Sequence, residues 1–223
     1  MTAPVALIVG AGPGISGAFA SRLVARGYAV ALAARHLGKL EPLATSMNCR
    51  AYAVDAGSAA GVSALFSAVE RDLEAPDVIL FNAGALLPGS ITELNVDAVA
   101  KALQTNAMGA FAVAQEAARR MLPRGRGAIF FTGATASVKG FARFSAFAMG
   151  KFAVRGLAQS LARELAPQGI HVAHFVIDGV VIGGDGVQNF TADNIAASYL
   201  AVLDQPPGAW SWEIELRSHK ESF

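Results

Sequence analysis

The stretch Val5–Gly17, VALIVGAGPGISG, runs from five apolar residues directly into a loop that contains Gly10, Gly12 and Gly14. Glycine permits a tight turn, and its missing side chain lets a pyrophosphate come close to the backbone. A helix that begins at Ile15 would present free N–H groups and the positive end of its dipole to that anion. The stretch therefore predicts the first strand, the phosphate-binding loop and the first helix of a dinucleotide-binding fold. The alternative is a glycine turn required only for close packing of the strand on the helix.

Strands and helices alternate along the rest of the chain. Runs that are apolar on both faces are typical of parallel strands buried between helices. These runs are Val5–Val9, Ala29–Ala34, Arg50–Val54, Val78–Phe81, Ala128–Thr132 and His171–Ile177, and Trp212–Leu216 alternates as a strand near an edge does. The helical stretches between them are Ile15–Arg26, Gly38–Ser46, Ala59–Leu73, Val96–Arg120, Phe144–Leu165 and Ala192–Leu203.

This alternation predicts an α/β fold, a doubly wound parallel sheet of about seven strands with helices on both faces, of the Rossmann type. No linker divides the 223 residues, so we expect a single domain over residues 1–223. The stretch Val96–Arg120 is long enough for two helices, or for one helix that bends near Asn106 or Gly109.

Composition narrows the classes of function. Hydrophobic residues make up 53% of the chain and charged residues 16%, which suits one compact, deeply buried core. The net charge of +1 comes without a long basic run, so neither nucleic acid nor a membrane surface is an expected partner. The N-terminus lacks the basic region of a secretion signal, and Cys49 is the only cysteine. We therefore expect a cytoplasmic protein without an internal disulfide, and no metal site is predicted.

The ends of the second and third predicted strands bear on the choice of cofactor. An acidic residue after the second strand would bond the ribose hydroxyls of NAD, but the chain has Arg35 there. A guanidinium suits a 2′-phosphate, so the sequence predicts NADP rather than NAD, with a solvated loop cation as the alternative. Asp55, after the third strand, is predicted either to accept a hydrogen bond from the adenine amine or to serve as a cap or turn residue.

Several motifs, by their order and spacing, make nearly the whole chain resemble the short-chain dehydrogenase/reductase family. The run Gly10-x-x-x-Gly14-Ile15 matches the nucleotide loop of that family, with Ser16 at the usual third glycine and Gly17 next. The run Asn82-Ala83-Gly84 matches a motif that supports the central sheet of the family. The resemblance implies that these residues, together with Gly12 and Gly179, bind the dinucleotide.

The resemblance also carries the expected chemistry. Asn106, in QTNAMGAF, and Lys151, in GKFAVRGLAQSLARELAPQGIHV, match two members of the catalytic tetrad of the family. In that family a tyrosine donates a proton, the lysine lowers the tyrosine pKa and binds the nicotinamide ribose, and the asparagine holds a water. Here Phe147 stands at the tyrosine position and Ala134 at the serine position, and a one-residue slip would place Thr135 at the latter.

Further departures follow the sixth strand. Asp178-Gly179 replaces the usual Pro-Gly, and the segment expected to form the substrate lid, residues 180–191, is short and glycine-rich. Candidate replacements for the missing acid are Lys151 acting through water and the side chains of Thr135, Ser137, Ser145 and Asp178. His171 and His174 are expected to be ordinary strand residues.

Two functions therefore stay open. The first is an NADP-dependent oxidoreductase that acts on a small carbonyl or alcohol with an atypical proton donor. The second is a cofactor-binding protein without reductase chemistry, which serves as a sensor, a scaffold or an inactive partner subunit. The resemblance implies a homodimer or homotetramer, with interfaces on the lysine-bearing helix and on the last strand and helix.

Overall fold

The computed structural model describes residues 2–179, 181 and 191–219. Within them the strands are β1 (Val5–Val9), β2 (Ala29–Ala34), β3 (Arg50–Ala53), β4 (Val78–Phe81), β5 (Gly127–Thr132), β6 (Ile170–Asp178) and β7 (Glu213–Arg217). The α-helices are α1 (Ile15–Ala25), α2 (Leu37–Ser46), α3 (Ala59–Asp72), α4 (Val96–Leu103), α5 (Gly109–Met121), α6 (Ser145–Leu165) and α7 (Ala192–Leu203).

The seven strands form one parallel sheet in the order β3-β2-β1-β4-β5-β6-β7. The chain first moves outward from β1 to β3 and then crosses back to place β4 on the other side of β1. The predicted doubly wound sheet is confirmed, and β7 forms an edge as expected. In such sheets ligands bind at the carboxyl ends of the strands where the order reverses, here between β1 and β4.

Two apolar layers hold the sheet, one on each face. Helices α3, α5 and α6 cover one face, where Phe66 and Phe131 are fully buried. Helices α1, α2 and α7 cover the other face, where Phe19 and Phe175 are fully buried. Burying one such side chain contributes about 1.5–3 kcal/mol, so the strands are fixed from both sides and hold the residues at their carboxyl ends in place.

The predicted bend in the long helical stretch is confirmed, and its cause is local. Helix α4 ends at Leu103, a π-helical turn covers Gln104–Met108, and α5 begins at Gly109. Asn106 lies inside this turn and is buried. π-Helical turns within helices frequently occur at functional sites. A Cβ on Gly109 would lie 2.6 Å from the Ala56 carbonyl oxygen, so only glycine lets the bent helix approach the loop after β3.

Candidate active site

A cleft of about 350 Å³ opens at the carboxyl ends of β1, β2 and β4, where the strand order reverses. Its walls come from the loop Gly10–Pro13, from the end of β2 and from Asn82–Gly84. Six of the candidate binding residues line this cleft, because parallel strands bring their carboxyl ends to the same edge: Gly10, Gly12, Arg35, Asn82, Ala83 and Gly84. The candidates Gly14, Ile15, Asp55, Lys151 and Gly179 are not among the lining residues.

The glycines of the first loop have different roles. Gly10 has a φ of +85°, and a Cβ there would lie 2.2 Å from the Ala83 nitrogen, so this glycine is required by packing. The side-chain amide of Asn82 donates a hydrogen bond to the Gly10 carbonyl at 3.0 Å and ties the loop to β4. A Cβ on Gly12 or Gly14 would meet nothing within 4 Å. Packing alone therefore does not explain these two glycines, whereas an open backbone for a phosphate group does.

The start of α1 adjoins the glycine loop. Gly14 caps the helix without a side-chain hydrogen bond, so the N–H groups of the first turn, beginning at Ile15, lack helical partners. Ser16 is buried, and its hydroxyl accepts a hydrogen bond from the Gly12 N–H at 2.9 Å, which braces the loop from within. Close contact between the helix and the loop depends on Gly17, where a Cβ would lie 2.7 Å from the Gly12 carbonyl oxygen.

The outer end of the cleft is basic. Arg35 and His36 are exposed along its rim, as is Lys39 from the first turn of α2, which the sequence reading did not identify. No carboxylate lines this cleft within the described part of the chain. Asp55 lies outside the lining, and its carboxylate accepts a hydrogen bond from the Gly57 N–H at 3.0 Å, which is the turn role that was the alternative for this residue.

Lys151 and Asn106 lie beside Gly84, one of the residues that line the cleft. A Cβ placed on Gly84 would lie 3.6 Å from Asn106 Oδ1 and 3.9 Å from Lys151 Nζ. The Asn106 amide is fully engaged with Ala85, because Oδ1 accepts from its N–H at 2.6 Å and Nδ2 donates to its carbonyl at 3.0 Å. Lys151 Nζ donates to the Thr132 carbonyl oxygen at 2.7 Å. Burial lowers the pKa of Lys151 from 10.5 to about 8.

The wall beside Lys151 is apolar at the two positions where the family resemblance predicted hydroxyl groups. Phe147 lies one helical turn before Lys151, and its ring centroid is 5.7 Å from Nζ, which is within the range of a cation–π contact. Ala134 has an extended backbone, and its N–H donates to Ser137 Oγ at 3.1 Å. Neither the Phe147 ring nor the Ala134 methyl can polarise a carbonyl oxygen.

Two of the candidate replacement acids are bonded to each other. Thr135 Oγ1 donates to Asp178 Oδ1 at 2.6 Å, and Arg217 forms an ion pair with the other carboxylate oxygen of Asp178. The proton of Thr135 is therefore directed at the Asp178 carboxyl group, which is engaged by both Thr135 and Arg217. Ser137 is fully buried, while Ser145 begins α6 in a half-buried position.

Tyr199 lies nearer to this site than its place in the sequence indicates. Its hydroxyl is 2.9 Å from Thr132 Oγ1, and the Thr132 carbonyl accepts the hydrogen bond from Lys151. Tyr199 is nevertheless fully buried in the layer on the opposite face of the sheet, and burial raises its pKa. It therefore supports the strand from behind and cannot serve as the missing acid.

The strand histidines have structural partners. His174 is fully buried, and its Nδ1 lies 3.1 Å from Glu213 Oε2. Arg155 holds the same carboxylate through two hydrogen bonds of 2.7 and 2.8 Å. Burial lowers the pKa of His174 to about 4, so its imidazole is neutral. His171 stacks on Trp210 with ring centroids 4.8 Å apart.

Gly179 follows Asp178 with a φ of +147°, a conformation that favours glycine. The expected lid segment, residues 180–191, lies outside the described residues except for Val181 and Thr191. In the portion of the chain that the structure describes, no three potential metal ligands come together, and no helix is long and apolar enough to cross a bilayer.

Known proteins share both the sequence pattern and the fold. The family model described as short chain dehydrogenase matches residues 4–184. A short-chain dehydrogenase/reductase of Armillaria gallica is 33% identical over 180 residues, which cover 77% of this chain and 69% of that protein. The crystal structure of a short-chain dehydrogenase from Rhodopseudomonas palustris matches with a TM-score of 0.87 and 34% identity, over 97% of this chain and 99% of that one.

A metagenomic short-chain oxidoreductase, solved in complex with NADP, matches with a TM-score of 0.87. It is 22% identical and the match covers 97% of this chain and 98% of that chain, so this likeness concerns the fold alone.

Proposed function

Because this chain belongs to the short-chain dehydrogenase/reductase family, we propose that it is an oxidoreductase that uses NADP(H) in the cleft beside its glycine loop. When bound, NADP(H) supplies hydride chemistry toward a small organic substrate. The observation that carries this proposal is the continuity of the site. One cleft runs from a basic rim, past an open glycine loop, to Gly84, where an added Cβ would lie 3.9 Å from the buried Lys151 amine.

The residues of the cleft fit a 2′-phosphorylated dinucleotide. The open faces of Gly12 and Gly14 and the free N–H groups at the start of α1 would hold the pyrophosphate. Arg35 and Lys39 would hold the 2′-phosphate, since both line the rim and no described carboxylate there would repel it. Lys151 would bond the nicotinamide ribose hydroxyls. The NADP complex of a protein with the same fold supports this choice of cofactor.

A small carbonyl or alcohol as substrate would need a proton donor other than tyrosine. Thr135 and Asp178 are bonded to each other, so neither is available. Lys151 remains, because its amine lies beside Gly84 of the cleft wall and its pKa of about 8 lies near neutral pH, where a general acid works best. We propose that Lys151 Nζ exchanges the proton in this reaction, directly or through a water.

A second candidate function is nucleotide binding without reductase chemistry, as in a sensor, a scaffold or a partner subunit. The paired replacement at Ala134 and Phe147 favours it, because together they remove both polarising hydroxyl groups from the inner cleft. Hydrogen-bond donors aimed at a developing oxyanion are commonly the largest single contribution to catalysis. Lys151 and the glycine loop suit this second function equally well.

We further propose that a second copy of the chain covers α5 and α6. Five large apolar side chains of these helices and their ends are more than a third exposed: Met108, Phe111, Leu122, Met149 and Phe152. A groove of about 250 Å³ lies between the two helices. A homodimer or homotetramer would bury this face. Light scattering after size-exclusion chromatography tests it, and a monomer at micromolar concentration would overturn it.

Calorimetric titration of the purified chain with NADPH and, separately, with NADH tests the main proposal. Preferential binding of NADPH is expected, and failure to bind either nucleotide would rule out both functions. If NADPH binds, its oxidation is then followed with a panel of small aldehydes and ketones. Oxidation that is lost in Lys151→Met supports the oxidoreductase, whereas binding without any oxidation supports the second candidate.

A further inference from the structure

The Lys151 amine is a buried cation that no described carboxylate neutralises. The structure gives it one hydrogen bond, to the Thr132 carbonyl oxygen at 2.7 Å. The charged and titratable groups on the neighbouring elements offer it no counterion. His174 on β6 is neutral, and Arg155 on α6 is a second cation whose carboxylate partner is Glu213 on β7.

The surroundings of this amine favour its neutral form, and the amine lies close to a residue that lines the cleft. Burial is the cause of its lowered pKa, and the adjacent Phe147 ring offers neither a donor nor an acceptor in the ring plane. The Asn106 amide is taken up by Ala85. Gly84 lines the cleft, and a Cβ placed on it would lie 3.9 Å from the amine, so Lys151 Nζ lies close to the cleft wall. A desolvated lysine in apolar surroundings is the arrangement that activates amines toward carbonyl compounds.

We propose that Lys151 is a carbonyl-condensing amine, which forms a Schiff base with small aldehydes or ketones when the cleft holds no nucleotide. This activity uses the same cleft as the proposed function. It rests on the proposed function only in the expectation that bound NADPH covers Lys151. It is a second chemical property of the site and does not require redox turnover.

The condensation needs no further reactant. The amine nitrogen attacks the carbonyl carbon and forms a C–N bond, and the oxygen takes up a proton to give a carbinolamine. The nitrogen lone pair then expels this oxygen as water and leaves a C=N bond. The two hydrogens of the amine depart with the oxygen, so amine plus carbonyl gives imine plus water, without oxidation or reduction.

The protein supplies internal controls for the test. Lys101 and Lys139 are exposed, and Lys139 Nζ lies 5.3 Å from the Phe141 ring centroid. Lys139 therefore has an aromatic contact of the same kind as Lys151 but without the burial. Any difference in reactivity between these two lysines is then due to the environment of the cleft rather than to the neighbouring ring.

The experiment exposes the nucleotide-free protein at neutral pH to benzaldehyde and sodium cyanoborohydride, which converts an imine to a stable secondary amine. Peptide mass mapping then gives the rate of modification at each lysine. Near pH 7, an amine with a pKa of about 8 is neutral roughly 300 times more often than one of pKa 10.5. Benzaldehyde reaches a buried amine more slowly, and an amine of lower pKa is a weaker nucleophile. With both effects allowed for, we expect Lys151 to react at least about tenfold faster than Lys101 and Lys139. Equal or slower modification of Lys151 would overturn the proposal.

Two further measurements separate this inference from the proposed function. Saturating NADPH should slow modification of Lys151 and leave Lys139 unchanged. If Lys151 is modified but the protein does not bind NADPH, the condensing amine is supported and the NADP(H) function is overturned. If NADPH binds tightly but Lys151 is not modified in the free protein, the NADP(H) function is supported and the condensing amine is overturned. Lys151→Arg, which cannot form an imine, should lose the adduct in that peptide. If that variant does not fold, the modification rates mapped in the wild-type chain still test the proposal.

Discussion

The buried amine of Lys151 predicts that removing it makes the protein more stable, and only over a defined range of pH. The folded-state pKa is about 8, against an ordinary value of 10.5. Each pKa unit corresponds to 1.36 kcal/mol, so keeping this group charged in the folded state costs about 3 kcal/mol relative to the unfolded chain. Lys151→Met keeps the length of the side chain but forfeits the hydrogen bond to Thr132, worth about 1 kcal/mol. The expected net gain near pH 7 is about 2 kcal/mol in the free energy of unfolding.

The pH dependence follows from the direction of the shift. Below about pH 8 the lysine is charged in both states, so the full cost is present. Between about 8 and 10.5 the unfolded state binds more protons than the folded state, and the wild-type stability rises with pH. Above the ordinary lysine pKa of about 10.5 the cost is gone, and the variant loses its advantage because it still lacks the hydrogen bond.

Urea unfolding followed by circular dichroism, at pH 7 and again near pH 10, measures the difference between the two proteins. Lys101→Met is the matched control, because Lys101 is exposed and the same substitution should leave stability nearly unchanged at both pH values. The reasoning is refuted if Lys151→Met is less stable than wild type near neutral pH. It is refuted equally if the difference between them does not change with pH.

Three other variants, two of them double substitutions, test separate parts of the site. Phe147→Tyr combined with Ala134→Ser should raise NADPH-dependent reduction of small ketones by about 10²–10⁴-fold, since it restores a general acid, and unchanged turnover would place the defect elsewhere in the pocket. Arg35→Ala combined with Lys39→Ala should weaken NADPH binding at least about tenfold in calorimetry while sparing NADH, because charge-assisted hydrogen bonds contribute about 1.5–3 kcal/mol each; equal loss for both nucleotides would contradict the phosphate role. Gly133→Ala places a methyl carbon 2.3 Å from a buried imidazole nitrogen, so thermal unfolding should show a loss of about 1–3 kcal/mol. A Gly133→Ala protein as stable as wild type would mean that the backbone after β5 can shift to make room for the methyl group.

The fold was predictable because the strands are buried on both faces. Continuous apolar runs such as Val78–Phe81 have no polar face to place in water, so only a sheet covered by helices on both sides accommodates them. The bend near Asn106 was also predictable, because a polar residue and a glycine interrupt one long helical stretch. The glycine loop and Arg35 line the cleft as expected because each directly follows a strand of a parallel sheet.

The pairings within the site could not be predicted. Thr135 and Asp178 are 43 positions apart, and Thr132 and Tyr199 are 67 apart. Hydroxyl and carboxyl groups occur throughout the chain, and their partners depend on side-chain direction, which strand patterns do not give. From the sequence, the Thr135 hydroxyl is therefore a candidate free group, whereas in the folded protein it donates a hydrogen bond to Asp178. Lys39 was missed for a related reason, since an exposed lysine on a helix has no distinctive pattern in sequence.

The energetics of Lys151 bear on the choice between the two proposed functions. The family resemblance implies a lysine that lowers the pKa of a tyrosine, but here Phe147 leaves no hydroxyl for Lys151 to act upon. If that were the only role of the lysine, an apolar side chain of the same length would serve better, because the buried charge costs about 3 kcal/mol. We therefore expect the amine to act on a ligand that enters the cleft, either through ribose hydroxyls or at a carbonyl carbon. An inert scaffold that never binds a ligand is consequently the reading that this site favours least, and nucleotide titration of Lys151→Met decides whether the ribose is the target.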